Sequence, residues 1–463
     1  MRTGRRWIFV FLCVACAWAL AHAAAGRAEG GEPRYFAIKG ARIVPVSGPA
    51  IENGTVVVAN GLIQAVGADV PIPAEAWVID GKGLVVYPGL IDAGTDLGFP
   101  ADANKSAPGS RSGPPAMGPE DRPATMPWRA AEDLKPDDKR IESWREAGFT
   151  SALTTPKGGI FPGQGTVIDL AGERAGEMVV KSPATLAVAF QTMPNFFEYP
   201  DSLMGVIAYV RQVLLDAEWY AQAQQIYEHH PRGLERPAYD RTERVVARVL
   251  RDQEIVLLPA NMENQIRRGL RLAQEWNLHA ALYGGQQGYA VADALAAKKM
   301  PVLVSLKWPE KEKDADPDAE QPLRDLRFRD RAPGTPAAFA KAGVKFAFYS
   351  DGIAEPKDIM KNVKKAMDAG LAADAALRAF TLDAAEILGV SDRLGSIEAG
   401  KIANLIVLDG ELFNEKTKVK DVFVDGQRFE IHEAPPEEKP GEKPKDKPGD
   451  TKALLSAVEG GAR

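Results

Sequence analysis

The sequence predicts an α/β fold: a (β/α)8 TIM-like barrel with a composite β-sandwich domain built from both ends of the chain. Strand and helix patterns alternate over about 300 residues in the middle of the 463-residue chain, which is typical of parallel strands joined by helical crossovers. Short β-rich pieces separated by Asn-Gly and Asp-Gly turn signals occur near both ends. No glycine-rich dinucleotide fingerprint opens the series, which disfavours a doubly wound sheet.

Composition limits the class of protein. The chain is 45% hydrophobic and carries a net charge of -6, as expected of a globular protein with one large core and a smaller accessory unit. A nucleic-acid partner is disfavoured because it would normally require a basic face. We expect a small-molecule substrate or ligand instead.

The first residues have the pattern of a secretory signal peptide. Arg2, Arg5 and Arg6 precede the apolar run WIFVFLCVACAWALA, which leads into small residues. The alternative, a membrane anchor, is disfavoured because the run is shorter than the ~20 apolar residues that a span needs. We expect cleavage near Ala23 to Ala25, export to a bacterial periplasm, and no transmembrane segment in the mature chain.

Both cysteines of the chain, Cys13 and Cys16, lie inside this leader. The mature protein would therefore contain no disulfide and no thiolate chemistry. A cysteine-free exported chain suits an oxidising compartment, either the periplasm or the outer surface of the cell.

The β-rich ends and the alternating middle define the organisation. Turn signals at Asn60-Gly61 and Asp80-Gly81 separate strands near the N-terminal end, and Asp409-Gly410 does so near the C-terminal end. A long amphipathic helix follows Asp201, a candidate N-cap, and the glycines of PKGGIFPGQGTV indicate a hairpin turn. The predicted segments are a signal peptide (1-25), the N-terminal portion of the β-sandwich (34-87), the barrel (88-393), the C-terminal portion of the β-sandwich (394-432) and a disordered Pro/Glu/Lys tail (433-463).

Three stretches carry a resemblance to a known family. They are IKGARIVPVSGPAIENGTVVVANGLIQAVG with the following VIDGKGLVVYPGLIDAGTD, then AGVKFAFYSDG, and finally AFTLDAAEILGVSDRLGSIEAGKIANLIVLDG with VKDVFVDGQ. The chain resembles the amidohydrolase superfamily, most closely its imidazolonepropionase-like and prolidase-like members. The resemblance implies a barrel with a composite sandwich, and metal-assisted hydrolysis of carbon–nitrogen bonds other than ordinary peptide bonds, or of cyclic amides or dipeptides.

The resemblance also implies a metal site, and most of its residues are missing here. The family uses a His-x-His pair after the first barrel strand, one histidine after each of the fifth and sixth, and an aspartate after the eighth. The first pair falls on Gly94 and Asp96, and the later two fall on or near Pro259 or Asn261 and on Gly284. Only the aspartate, Asp351 in FYSDG, keeps the family identity.

A count of histidines supports this interpretation. The chain has five, of which His22 leaves with the signal peptide and His432 adjoins the tail. His229 and His230 end a polar helix and point in different directions. His279 begins a predicted strand, at the end opposite to barrel active sites. The sequence therefore predicts a degenerate metal site.

The carboxylates and other polar residues at the predicted strand ends are compatible with several functions. Asp351 is the candidate catalytic residue, and Asp351 with Asp96, joined by Asp92, is the candidate metal set. We expect no cofactor; if a divalent metal is bound, the resemblance implies zinc, whereas Mg²⁺, Mn²⁺ or Ca²⁺ suits carboxylates better. Polar residues that could line a pocket are Thr154, Thr155, Gln191, Asn261, Gln286, Gln287, Ser305 and Lys307.

Three functional hypotheses follow. The first is a hydrolase acting on carbon–nitrogen bonds through a rearranged site. The second is a pseudoenzyme that binds a small ligand or pairs with an active paralogous amidohydrolase. The third is a scaffold in the cell envelope that uses the charged tail.

Overall fold

The computed structural model describes residues 35–99, 129–192, 199–311 and 320–431. The chain divides into two units, residues 1–431 and 432–463, and the second lies outside the described residues. The predicted signal peptide, its cysteines, the tail, His22 and His432 also lie outside them. No helix within the described ranges is long and apolar enough to cross a bilayer.

Sixteen strands and eleven α-helices form the described portion of the chain. The strands are β1 (Tyr35–Ile43), β2 (Ile51–Ala59), β3 (Leu62–Gly67), β4 (Trp77–Asp80), β5 (Val85–Pro88), β6 (Leu90–Thr95), β7 (Phe149–Thr154), β8 (Gly163–Asp169), β9 (Val179–Ala187), β10 (Ile255–Ala260), β11 (Ala280–Gly284), β12 (Val302–Ser305), β13 (Phe346–Tyr349), β14 (Leu405–Leu408), β15 (Val419–Val424) and β16 (Gln427–Glu430). The helices are α1 (Arg140–Glu146), α2 (Ala175–Met178), α3 (Leu203–His229), α4 (Arg241–Asp252), α5 (Glu263–Glu275), α6 (Ala292–Ala297), α7 (Leu323–Arg331), α8 (Thr335–Ala342), α9 (Pro356–Asp368), α10 (Ala373–Phe380) and α11 (Leu382–Leu388). Short 3-10 turns lie at Ala130–Glu132, Gly288–Ala290 and Ala332–Gly334.

The two ends of the described chain share one sheet, as the β-rich termini predict. Its strand order is β16-β15-β14-β5-β1-β2-β3, and β4 pairs with β1. The N- and C-terminal segments meet where β5 runs antiparallel to β14, with Leu405 opposite Pro88. Apolar side chains from both segments, including Phe36, Val56 and Phe423, are buried together. Burial of one shared apolar face explains why segments so distant in sequence assemble.

The second sheet is the barrel, with strand order β6 to β13. Its strands pair in parallel except β8, which runs antiparallel to both β7 and β9. The backbone N–H of Ser350, just after β13, donates to Asp92 Oδ1 on β6 over 3.0 Å, which joins the last strand to the first. The fold class predicted from the sequence is confirmed, with eight strands in a nearly closed ring.

The antiparallel β8 departs from the expected strand–helix alternation. Only residues 155–162 separate β7 from β8, too few for a crossover helix. Gly158 and Gly159 both have positive φ, 102° and 71°, which permits the tight reversal. The glycine-rich segment is therefore a hairpin turn, as the sequence predicts.

Helix α3 shows one small correction. Its N-cap is Ser202 rather than the predicted Asp201, because the Ser202 hydroxyl accepts a hydrogen bond from the Gly205 N–H over 3.2 Å. Either residue type suits an N-cap, and pattern alone does not separate neighbours.

Candidate functional site

A cavity of about 300 Å³ opens at the carboxyl ends of the barrel strands. This is the end at which barrels place their functional residues. Its walls are mainly the inward-facing apolar residues of the barrel, for example Leu153, Leu257 and Leu303, all of them buried. Polar groups lie above them, so the cavity has an apolar body and a polar rim.

Asp351 lies at this rim, in the turn that follows β13. Its side chain is exposed, and its Oδ2 accepts a hydrogen bond from the Ser305 hydroxyl over 2.8 Å. The same hydroxyl accepts the Lys307 N–H over 3.1 Å. The backbone of Asp351 has φ of 53°, a left-handed conformation in which Asp and Asn are enriched. The sequence-predicted candidate is thus held at the cavity by the turn that follows the last barrel strand.

Gly94, the first position of the expected His-x-His pair, also lines the cavity. A Cβ at this position would lie 3.1 Å from Tyr349 Cδ2 and 3.4 Å from Tyr349 Cβ. The buried Tyr349 side chain projects from β13 and therefore occupies the space beside Gly94. A longer side chain at residue 94 would require this ring to move.

Asp96, the second position, is bound by two cationic side chains. Its Oδ2 lies 2.6 Å from Lys157 Nζ, and its Oδ1 lies 2.8 Å from an Arg140 guanidinium nitrogen. Arg140 also binds Asp138 over 2.7 Å. Burial raises the pKa of Asp96, but Lys157 and Arg140 outweigh it and hold that pKa below its usual value. Asp96 is therefore an anion already neutralised by protein groups.

Asp92 lies below the rim and is only 1% exposed. Its Oδ1 accepts the N–H groups of Gly94 and Ser350 at 3.2 and 3.0 Å, and its Oδ2 accepts from Trp144 Nε1 at 3.4 Å. Burial raises the pKa of Asp92 to about 6, against the opposing effect of these hydrogen bonds. We expected Asp92 to join Asp351 at the mouth; instead it ties β6 to β13, because its position within β6 directs it into the packed interior.

An amide network occupies the ends of β10 and β11. Asn261 Oδ1 accepts the Gln286 N–H over 3.1 Å, and Asn261 Nδ2 donates to Gln286 Oε1 over 3.3 Å. Gln286 Nε2 in turn donates to the Lys307 carbonyl over 2.7 Å. Gly284 has φ of 106°, and a Cβ there would lie 3.0 Å from Asn261 Cα. The expected fifth- and sixth-strand histidine positions therefore form a hydrogen-bonded turn.

The three described histidines lie away from the cavity. His229 and His230 are exposed at the end of α3. His279 is exposed before β11, where its Nδ1 lies 2.8 Å from the Gln253 carbonyl oxygen. Within the described ranges, no group of three or more His, Cys, Asp or Glu side chains is placed to hold a metal ion. The assignment of Asp351 and Asp96 as metal ligands stays a prediction.

Of the polar pocket residues proposed from the sequence, Thr155 and Gln191 line the cavity. Thr154 instead donates to the Leu97 carbonyl over 2.8 Å. Sequence reasoning missed Tyr283 and Tyr349, which line the cavity although they lie inside strands. A side chain that faces the barrel interior near the carboxyl end of a strand lines the cavity. The sequence does not identify such residues, because which side chains face inward depends on the register of each short strand.

The fold and the cavity together define the class: a barrel protein with a cavity of about 300 Å³ at the carboxyl face and a composite accessory sheet. Residues 291–429 match the model of the amidohydrolase family. An amidohydrolase from Thermotoga maritima MSB8 is 27% identical, with a TM-score of 0.73, over 86% of this chain and all of that one. The C-terminal part of this chain therefore matches the amidohydrolase family, and the similarity to the T. maritima amidohydrolase extends over most of the chain.

Two more distant structures share the fold. One is a prolidase solved with N-methylphosphonate-L-proline, 19% identical with a TM-score of 0.52 over 86% of this chain and 100% of that chain. The other is an amidohydrolase that is 17% identical, with a TM-score of 0.54 over 86% of this chain and 99% of that chain. No curated protein matches the chain. The family match and the T. maritima relative support a classification among hydrolases, and members of this family typically use a divalent metal such as zinc.

Proposed function

We propose that this protein binds a small molecule in the barrel cavity and has lost the metal-dependent hydrolysis of carbon–nitrogen bonds that its superfamily performs. The strongest support comes from the two positions of the expected His-x-His pair, Gly94 and Asp96, at the end of the first barrel strand. Gly94 has no side chain and lies against Tyr349, and the carboxylate of Asp96 is ion-paired with Lys157 and Arg140.

The donor set does not fit a zinc ion. Zinc centres in proteins are built mainly from imidazole, thiolate and carboxylate groups in a tetrahedral arrangement. At this mouth the corresponding positions hold glycines, an amide pair and an ion-paired carboxylate. A divalent ion at Asp96 would have to displace two cations or remain beside them, at a Coulombic cost that grows in a partly buried site. We therefore assign no step to a bound metal.

A second candidate function is supported by Asp351. Its carboxylate lies at the cavity and accepts only a hydroxyl hydrogen bond from Ser305 among the described groups. A carboxylate placed in this way can accept a proton from a water molecule that attacks an amide carbon. The carbon–nitrogen bond then breaks, and the proton passes to the leaving nitrogen. The substrate would be a dipeptide, a cyclic amide or another small amide that fits the cavity.

Two measurements separate these candidates. Elemental analysis of the purified mature protein should find no stoichiometric zinc, and stoichiometric zinc dependent on Asp351 would overturn the proposed loss of the metal site. A panel of dipeptides and cyclic amides should not be hydrolysed. If hydrolysis occurs and Asp351→Asn abolishes it while Asp368→Asn does not, the second candidate replaces the first.

Asp368 is a suitable control for this comparison. It ends α9, is exposed and does not line the cavity, and its one ion pair among the described residues is a 3.8 Å contact to Lys364. The substitution therefore makes the same change of charge outside the site.

We also propose the exported location and the pairing with an active paralogous amidohydrolase that the sequence suggests. The leader pattern supports the exported location. The retained barrel around an altered site supports the pairing. Cell fractionation tests the first, and retention in the cytoplasm would overturn it. Co-purification of the tagged protein from its own host tests the second, and recovery of the chain alone would count against pairing.

A further inference from the structure

The charge balance of the cavity is uneven. Lys157 and Asp351 are the charged residues that line it. The ammonium of Lys157 lies 2.6 Å from Asp96 and is therefore neutralised. No cation in the described segments of the chain forms an ion pair with Asp351. The uncompensated charge at this apolar cavity is thus negative.

Two aromatic rings lie close to this carboxylate. Tyr283 and Tyr349 line the cavity, and burial raises the pKa of both hydroxyls, with the nearby negative charge of Asp351 adding to the effect. The Tyr283 hydroxyl already donates to the Val188 carbonyl over 3.0 Å. What these residues still offer a ligand is ring surface beside a carboxylate, a combination that attracts organic cations.

The opposite side of the barrel carries two hydroxyls without partners. Thr155 Oγ1 and Thr185 Oγ1 are buried and make no hydrogen bond within the described structure. Both flank one point above Gly165 on β8, because a Cβ there would lie 2.6 Å from Thr185 Oγ1 and 2.9 Å from Thr155 Oγ1. Thr155 lines the cavity, and Thr185 is 0% exposed. A buried hydroxyl left unpaired costs free energy, so a polar group at this point is favoured.

These two sides face each other across the barrel. Thr185 belongs to β9 and Thr155 follows β7, whereas Tyr349 belongs to β13 and Asp351 follows it. Tyr283 on β11 lies between these sides, because its hydroxyl reaches the Val188 carbonyl after β9. In a nearly closed ring of eight strands that runs from β6 to β13, the fourth strand, β9, lies opposite the eighth, β13. A ligand that spans the cavity would therefore meet a negative, aromatic side and a neutral, hydrogen-bonding side.

We propose that the cavity binds a small protonated organic amine with an apolar body, whose ammonium group meets Asp351, Tyr283 and Tyr349 and whose other end carries a neutral hydrogen-bonding group near Thr155 and Thr185. This inference rests on the proposed binding function of the same cavity. It adds the chemical class of the ligand.

Calorimetric titration with three matched compounds tests the charge. Benzylamine should bind at least about tenfold more tightly than benzyl alcohol, and benzoate should bind most weakly of the three. Asp351→Asn should reduce benzylamine affinity to that of benzyl alcohol, whereas Asp368→Asn should leave it unchanged. Asn tolerates the left-handed backbone at residue 351, so the variant is expected to fold.

A fourth compound tests the hydroxyl side. 4-(Aminomethyl)benzamide should bind more tightly than benzylamine, and Thr185→Val should remove that advantage without changing benzylamine affinity. An advantage that survives this substitution would show that the hydroxyls do not contact the ligand.

The outcomes separate this inference from the proposed function. Equal binding of amine and alcohol, preference for benzoate, or full affinity in Asp351→Asn would overturn the amine assignment and leave the cavity as a binding site. Failure of all four compounds to bind would overturn the assignment as well. The proposed loss of the metal site is judged separately by the zinc content of the same preparations.

Discussion

Two polar regions of the barrel differ in how completely their groups are paired. The first is the mouth, with Asp351 exposed and the hydroxyls of Thr155 and Thr185 unpaired within the described structure. The second is the junction cluster, which we define as Ser151, Asp169 and Asn404, at the contact between the barrel and the terminal sheet.

The junction cluster is buried, and its three side chains are hydrogen-bonded to one another. Ser151 Oγ and Asn404 Nδ2 each donate to Asp169 Oδ1 over 2.7 Å. Asn404 Oδ1 accepts the Asp425 N–H over 2.7 Å, and the Asn404 carbonyl accepts the Gly89 N–H over 2.8 Å. Asn404 thus bonds β7, β8 and the turn that leads into the barrel. Its polar groups serve the fold.

The comparison teaches where a ligand belongs. Buried polar groups are normally paired, and an unpaired group beside a cavity can be completed by a water molecule or a ligand. The junction uses its hydrogen-bonding capacity internally, whereas the mouth retains a carboxylate and two hydroxyls. Changes at the junction should therefore alter stability strongly, and changes at the mouth should alter binding with little effect on stability.

The largest expected effect is a pH dependence at the junction. Burial raises the pKa of Asp169 to about 7, although the Ser151 and Asn404 hydrogen bonds oppose it. The folded state therefore holds a proton that the unfolded state releases, and the stability from this group falls as pH rises from about 4 to about 7. At roughly 1.4 kcal/mol per pKa unit, the change is on the order of 4 kcal/mol.

Asp169→Asn isolates this contribution. Because the variant cannot lose the proton, its free energy of unfolding should rise relative to the wild type as pH increases through this window. Urea denaturation at several pH values measures the difference. Parallel pH curves for the two proteins would contradict the protonated, buried state of Asp169.

A slightly smaller effect is expected from Asn404→Ala. The substitution leaves the buried Asp169 without its amide donor and the part-buried Asp425 N–H without its acceptor. We expect a loss of about 3 kcal/mol in the free energy of unfolding. Asn414→Ala, in an exposed turn, is the matched control and should change stability much less. Similar losses for the two variants would remove the distinction between junction and surface.

Gly94→Ala probes the first strand end at the mouth. The new Cβ would lie 3.1 Å from the Tyr349 ring, tighter than ordinary van der Waals contact, so the ring must shift. We expect a cost of about 1 kcal/mol, measured by thermal or chemical denaturation. Gly48→Ala, which meets no atom within 4 Å, should cost less. If Gly94→Ala leaves the free energy of unfolding unchanged, Tyr349 does not restrict the side chain at this position.

The smallest effect is expected from Thr185→Val. This near-isosteric change removes a buried hydroxyl that has no partner among the described groups. The free energy of unfolding should stay within about 1 kcal/mol of the wild type or increase, since no internal hydrogen bond is lost. A loss well beyond this would show that the hydroxyl is paired, and the contrast with the junction would fail.

Much of the fold was predictable from the sequence, and less of the site. The shared terminal sheet followed from turn signals near both ends, and the barrel followed from the alternating middle, although the antiparallel β8 did not. Asp351 was located correctly at a strand end because its FYSDG context is local. Lys157 and Arg140 could not be assigned to Asp96, since that ion-paired group joins residues 44 and 61 positions apart in the sequence. Long-range pairing of this kind depends on tertiary packing rather than on local pattern.

The antiparallel β8 has a consequence for how the barrel assembles. The β7-β8 and β8-β9 pairings join residues close in sequence through short turns, whereas the parallel β6-β7 pairing must close a chain segment of more than fifty residues. Loop-closure entropy favours the nearer contacts, so the three-stranded meander can form before the barrel closes. In a φ-value series, substitutions of buried residues in β8 should therefore slow folding, and those in β6 should mainly speed unfolding.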